Sequence, residues 1–215
     1  MDFVYAHAYL RDYHLFATQM DEVRLADGSA NPNEKFYREP FRHYHVDGAI
    51  VRFGGVGQGV LSLLHTGIVT GDAKWLARAN DILEPLTATH DPLGLWDAKH
   101  GGYFAGVQFD GPDFQHPGEP KLLAKSKETG RQFHMLQAFH VANAMTNGRY
   151  HDMEEAMKRT LVERAYYPAR RGLFYESEVD WSPRKTKAGP ADWVTTEAMG
   201  CAMMALFSLK EEMPW

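Results

Sequence analysis

The apolar residues of this 215-residue chain fall into two kinds of helical segment, and the two kinds alternate. The stretch "AIVRFGGVGQGVLSLLHTGIVTG" (49–71) is apolar on every side, with small residues where another helix can approach closely. Next, "AKWLARANDILEPL" (73–86) carries one stripe at helical spacing: Trp75, Leu76, Ala79, Ile82, Leu83 and Leu86. The pattern then repeats. "ETGRQFHMLQAFHVANAM" (128–145) is apolar nearly all round, and "NGRYHDMEEAMKRTLVERAY" (147–166) is striped by Tyr150, Met153, Met157, Thr160 and Leu161. Finally "ADWVTTEAMGCAMMALFSL" (191–209) is apolar on nearly every face. A helix apolar all round is buried, and a one-striped helix lies outside it.

Buried, outer, link, buried, outer, link, buried is an internal repeat of roughly 65–80 residues, long for a solenoid and suited to helical hairpins with elaborate connections. Asp47 stands five residues before Arg52, and Asp192 five before Glu197, each pair opening a buried segment; in the same register Gly55 corresponds to Gly200 and Leu61 to Leu206. The fold expected is all-α: one domain over 1–215, an α/α toroid with inner and outer helices. The links "LWDAKHGGYFAGVQFDG" (95–111) and "RRGLFYESEVDW" (170–181) are dense in glycine and aromatics, and read as short β-hairpins on one rim. Thr70–Asp72 reads as a turn with an N-cap, Asp2–Met20 as a helix of mixed polarity, and 21–47 as loop.

Composition removes several classes of function. A net charge of −5 argues against nucleic acid as a partner, because phosphate binding needs a basic surface. No apolar run reaches the ~18 residues of a membrane span, and the N-terminus lacks the order of a secretion signal. The glycines of 54–59 do not form a phosphate loop, since G-x-x-x-x-G-K-S/T is absent. The single cysteine, Cys201, lies in an apolar run and reads as core; with no internal disulfide to form, a reducing, cytoplasmic setting is expected. His43 and His45 fall on one side of an extended segment, but two imidazoles without further ligands are no metal site. No metal and no cofactor are expected.

In a toroid the N-terminal ends of the inner helices converge on a central cavity. Polar groups there are costly unless solvated or used. Arg52, Arg131 and Glu197 each stand near such a start; Arg131 shares a face with His134, and Trp193 with Glu197. Guanidiniums, a carboxylate, an imidazole and a Trp can bind a polyol and supply an acid and a base. Bland alternatives stand beside this: Arg131 with Glu197 as a structural ion pair, His134 as a core histidine, Asp97 as a turn-holder, and Glu176 and Glu178 on a solvated rim.

The run "WDAKHGGYFAGVQFDG", then "KLLAKSKETG", then "RQFHMLQAFHVANA" resembles the D-x-x-x-G-G-aromatic segment, lysine and Arg-Gln helix of the N-acylglucosamine 2-epimerase family. More broadly it is similar to the six-hairpin glycosidase-like superfamily of (α/α)6 barrels, over about Thr70–Trp181. The resemblance implies a mono- or oligosaccharide in the central cavity. It implies that Arg131 contacts substrate and that Tyr103 and Phe104 are the aromatic pair after the glycines. Catalysis is expected from Glu197, His134 and Arg131, and binding from Arg52, Asp47, Asp97, Tyr103, Phe104 and Trp193. Three functions remain open: a sugar epimerase or isomerase working by proton abstraction, a glycoside hydrolase or polysaccharide lyase, and a non-catalytic carbohydrate-binding or scaffold protein. Six hairpins need twelve helices and about six are counted. Part of a longer barrel is therefore the first expectation, with a barrel completed by a second copy, or a helix count that is short, as the alternatives.

Overall fold

A computed structural model describes residues 9–16, 19–20, 49–110, 118–187, 189–191 and 193–210. Among the described residues five α-helices dominate: α1 (Phe53–Thr70), α2 (Ala73–Leu83), α3 (Thr129–Thr146), α4 (His151–Thr160) and α5 (Thr196–Leu209). Helix α4 runs on into a π-helical turn, Leu161–Ala165. The strands are short: β1 (Tyr9–Leu10), β2 (Leu15–Phe16), β3 (Gln19–Met20), β4 (Ala49–Arg52), β5 (Gly106–Phe109), β6 (Pro120–Leu122), β7 (Ser126–Glu128), β8 (Tyr166–Tyr167), β9 (Gly172–Leu173), β10 (Glu176–Glu178), β11 (Arg184–Thr186) and β12 (Gly189–Ala191).

Helix α3 is the middle of an inner row, packed between α1 and α5, with α2 and α4 outside. Its position explains its sequence. With helices on several sides, its buried residues (Gln132, Phe133, His134, Met135, Leu136, Ala138, Phe139 and Ala142 among them) run round the axis. In α2 only Trp75, Ala79, Ile82 and Leu83 are buried, and in α4 the buried apolar residues are Met153 and Met157. Two glycines set the spacing of the row. A Cβ on Gly57 would lie 3.1 Å from the Met135 nitrogen, and one on Gly130 would lie 3.1 Å from the Ala198 Cα. These contacts also put the N-terminal parts of α1, α3 and α5 level with one another, so the three inner helices run parallel.

Tight turns close the far end. Asp72 caps α2, its side chain accepting from the Lys74 N–H at 3.0 Å. Asn147 ends α3 in the left-handed conformation (φ 56°), and Glu154 on α4 reaches back to His140 at 2.7 Å and to Asn143. Long connections return along the opposite rim, and the strands form there. Strands β3–β4–β5–β6 make one antiparallel sheet, with Val51 opposite Val107 and Val107 opposite Leu122. Strand β7 pairs with β10, β8 with β9, and β11 with β12.

The N-terminal reading is corrected in two places. Within Asp2–Met20 the described residues form strands, β1 and β2 pairing Tyr9 with Phe16 around a turn, not a helix. Ala49–Arg52 is a strand of the rim sheet, and helix begins only at Phe53. The 95–111 link is more than one hairpin. An isolated antiparallel bridge joins Trp96 to Tyr103, and the chain then crosses the sheet as β5. The loop at 21–47, including His43 and His45, lies outside the described residues. Among the described residues no helix is long and apolar enough to cross a membrane, and Cys201 is buried, its thiol pushed up in pKa by that burial.

Candidate active site

The site is built in two layers at the rim, and the lower layer is a scaffold. Asp97 turns its own loop: Oδ1 accepts from the Lys99 N–H (3.0 Å) and the His100 N–H (3.1 Å). The following Gly101 and Gly102 both take positive φ, 71° and 81°, and a side chain at Gly102 would strike Trp181. Oδ2 of Asp97 receives the Lys127 ammonium at 2.8 Å, fully buried, which also donates to the Val179 carbonyl at 2.6 Å beneath the Trp181 ring. Burial alone would raise the Asp97 pKa. The Lys127 hydrogen bond, with those of His100 and Lys99, outweighs it and holds the carboxyl below its ordinary value. Gln132 clasps the Tyr103 backbone from both sides, accepting from its N–H (2.8 Å) and donating to its carbonyl (2.9 Å).

Gln132 is turned into the interior, and Arg131, one residue earlier, points elsewhere, toward α5. Its guanidinium meets Glu197 Oε1 at 2.9 Å and lies 3.8 Å from Glu128 Oε2. The Arg131 and Glu197 side chains keep 28% and 48% of their surface exposed. One turn further along α3, His134 is buried, and its Nδ1 has no hydrogen-bond partner among the described residues. Burial first, then the Arg131 charge, push its pKa below the usual imidazole value against an opposing pull from Glu197. The imidazole is therefore neutral near pH 7.

Two further groups share this rim. In the β7–β10 ladder Glu128 stands directly opposite Glu176, a like-charge pairing that needs compensation. Arg184 pairs with Glu176, whose Oε1 also accepts from Ser126 Oγ at 2.5 Å, while Arg131 faces Glu128. Tyr175, whose carbonyl accepts from the Thr129 N–H at the start of α3, stacks on Trp193 at 5.6 Å and 14°. Trp193 is 56% exposed.

Of the residues singled out by sequence, Arg131, His134 and Glu197 come together, with Trp193 on the same rim. Trp193 does not share a helix face with Glu197: it precedes the N-cap, Thr195, and reaches the rim through its stack on Tyr175. Asp97 lies in the scaffold below. Tyr103 is fully buried, its hydroxyl donating to the Leu86 carbonyl, and Phe104 is partly exposed with the Lys127 ammonium 6.0 Å from its ring. Arg52 closes β4 immediately before α1; Asp47 and Asp192 are outside the described residues. Glu128 and Arg184 were not anticipated, and Glu176 was read only as solvated rim. Glu128 is three residues before Arg131, a spacing that could have drawn notice; the cross-strand partners are distant in sequence. A separate concavity of about 550 Å³, lined by His14, Asn80, Asp81, Glu84, His90 and Arg149 among others, lies between α2 and the α3–α4 turn. Among the described residues no group of three or more His, Cys, Asp or Glu is placed to hold a metal ion.

No family model matches the chain, and no curated protein sequence does. Solved structures do. The structure is similar to cellobiose 2-epimerase from Bacillus thermoamylovorans B4167 (TM-score 0.64, 13% identity, 97% of this chain and 46% of that one). It is also similar to cellobiose 2-epimerase from Spirochaeta thermophila DSM 6192 (0.57, 18%, 96% and 46%). A D-mannose isomerase matches as well (0.55, 14%, 86% and 43%). The chain thus has the six-hairpin glycosidase-like fold of these α/α toroid proteins, and spans less than half the length of these structures.

Proposed function

We propose that this protein binds a sugar at the mouth formed by the first turns of α3 and α5 and epimerises or isomerises it by moving a proton beside its carbonyl group. The observation that carries this reading is the grouping of Arg131, Glu197 and His134: a half-exposed carboxylate, a guanidinium beside it and a neutral, unpartnered imidazole beneath. The fold is shared with proteins named as sugar epimerases and an isomerase, which favours a sugar over other polyols.

In the reaction Arg131 donates hydrogen bonds to the carbonyl oxygen of the open-chain sugar and stabilises the negative charge that develops there. The Glu197 carboxylate takes the proton from C2, and the electron pair left behind forms the C1=C2 bond of an enediolate. Return of a proton to the other face of C2 gives the epimer, and return to C1 gives the ketose. His134, neutral at pH 7, exchanges the proton on the substrate oxygen. Trp193, stacked on Tyr175, offers a flat apolar face to the sugar. Arg52, Asp47 and Phe104 are proposed as further sugar contacts in this reading, while Asp97 and Tyr103 hold the rim in shape.

One observation favours cleavage of a glycosidic bond instead. Glu128 and Glu176 stand directly opposite each other in one ladder, and retaining cleavage uses two carboxyl groups about 5–5.5 Å apart. Both carboxylates are already engaged by arginines, which makes this the second choice. The deciding experiment incubates the protein with aldoses, ketoses and N-acyl hexosamines in D2O and reads C2 by NMR. Deuterium at C2 that disappears in Arg131→Ala and Glu197→Gln supports proton abstraction here. No exchange with any sugar, in protein shown to be folded, overturns it.

A further inference from the structure

We propose that the concavity on the outer face of α2 is a second carbohydrate site, which takes a neutral sugar through its hydroxyl groups. Its floor is Ala77, Asn80, Asp81 and Glu84, at i, i+3, i+4 and i+7, the face turned away from the buried stripe of Trp75, Ala79, Ile82 and Leu83. His14 from the β1–β2 turn, His90, and Arg149 from the α3–α4 turn stand round it. Its volume of about 550 Å³ falls inside the roughly 300–1,000 Å³ of small-molecule sites. None of these residues belongs to the Arg131–Glu197 mouth, so the site stands whether or not the mouth takes a sugar.

Two buried tyrosines fix this lining from behind. Tyr9 donates to one Asp81 oxygen, and His14 Nδ1 lies 2.8 Å from the other. Nδ1 therefore carries the ring proton, and Nε2 of the neutral imidazole is left as an acceptor. Burial pushes the Tyr150 pKa up to about 12, which keeps its hydroxyl a donor, and it donates to Asn80 Oδ1 at 3.0 Å. Both hydrogens of the Asn80 amide remain. Glu84 Oε2 takes the Arg149 Nη2 at 2.9 Å, which leaves Glu84 Oε1 as an acceptor and Arg149 Nη1 as a donor. Among the described residues these four remaining groups have no other partner. The set selects the ligand. A hydroxyl group both donates and accepts, so a polyol can satisfy all four. An anion would satisfy the donors alone and face the Asp81 and Glu84 carboxylates, and a cation would satisfy the acceptors alone and face Arg149.

Proton–nitrogen NMR spectra of the full-length protein, titrated with D-glucose, D-mannose and cellobiose, separate this site from the mouth. The Asn80 side-chain amide reports on one and the Trp193 indole on the other. At least one neutral sugar should move the Asn80 signals in a saturable way. Glucuronate and glucosamine should bind there at least about tenfold more weakly than that sugar. Ala77→Trp, which sets an indole on the exposed floor, should weaken binding at least about tenfold, and so should Arg149→Ala on its exposed turn, with circular dichroism unchanged in both. Asn80 signals unmoved by all three sugars, a saturable shift that survives both substitutions, or a charged analogue bound as tightly as the neutral sugar overturns the proposal. Shifts at Trp193 alone would keep the mouth and sink this site, and shifts at Asn80 alone would do the reverse.

Discussion

Lys127 and Arg131 are four residues apart, and each binds a carboxylate, but they do so in opposite surroundings. The Lys127 ammonium has no exposed surface, and its partner Asp97 is nearly as buried; a tryptophan ring and a main-chain carbonyl complete the enclosure. Arg131 and Glu197 meet at almost the same distance with both side chains partly in solvent. Charge type and separation are thus nearly shared, and burial divides the roles. A sealed pair is out of reach of a ligand and fixes the chain around it. A solvated pair gives up little when a substrate oxygen takes over one of its hydrogen bonds.

The largest effect should come from breaking the sealed pair. Lys127→Met leaves the Asp97 carboxylate buried without its cation and is expected to cost about 3–5 kcal/mol in urea unfolding, a large share of a typical domain's stability. Adding Asp97→Asn should recover part of the loss, because the amide oxygen can still accept from the Lys99 and His100 N–H groups while the uncompensated charge is gone. A cost under about 1 kcal/mol for Lys127→Met would place this pair in the same class as the exposed one.

That division is only half legible in the sequence, and the reason is range. Everything set by local period could be read: the stripe of α2, the all-round burial of α3, the cap at Asp72. The D-x-x-x-G-G spacing and a lysine-bearing linker could be noticed as a pattern, but the Asp97–Lys127 contact crosses thirty positions and depends on where Trp181 comes to lie. The N-terminal strands failed for the same reason. No glycine marks the turn at Arg11–His14; His14 itself takes positive φ (53°), and its Nδ1 rests on Asp81 of α2 at 2.8 Å. Ala49–Arg52 continues the apolar run of α1, so no break in period announces a strand whose partner is Gly106–Phe109. In the site, Arg131, His134 and Glu197 were accessible because inner-helix starts converge, whereas Glu128, Glu176 and Arg184 meet through strand register.

A smaller effect separates the layers by pH. His134 has a folded-state pKa below its unfolded value near 6.5, so the unfolded chain binds more protons than the folded one in the interval between the two. Its contribution is therefore fully present above about pH 6.5 and lost as pH falls toward the lowered folded value. The Asp97 contribution survives that fall, being lost only below its unfolded value near 3.9 as pH drops through a still lower folded pKa. Unfolding free energies measured from pH 7.5 down to 5 should flatten in His134→Gln and keep their slope in Asp97→Asn. The opposite assignment of slopes would mean that His134 is solvated and that the mouth reaches deeper than its neighbours imply.

The smallest expected effect on stability is at Arg131 and Glu197. A double-mutant cycle with Arg131→Ala and Glu197→Gln should give a coupling of about 0–1 kcal/mol, declining further as salt is added, because both side chains are screened by water. Deuterium exchange at C2 should respond quite differently in the same proteins. Each single variant should lose nearly all of it, and the double variant should lose little more, since groups that act on one proton as a unit are far from additive. Coupling well above 1 kcal/mol, insensitive to salt, would make this a structural tie between α3 and α5 and bring it into line with Asp97–Lys127. Weak coupling in stability with strong interdependence in exchange is what a pair left open to solvent for the sake of a ligand should produce.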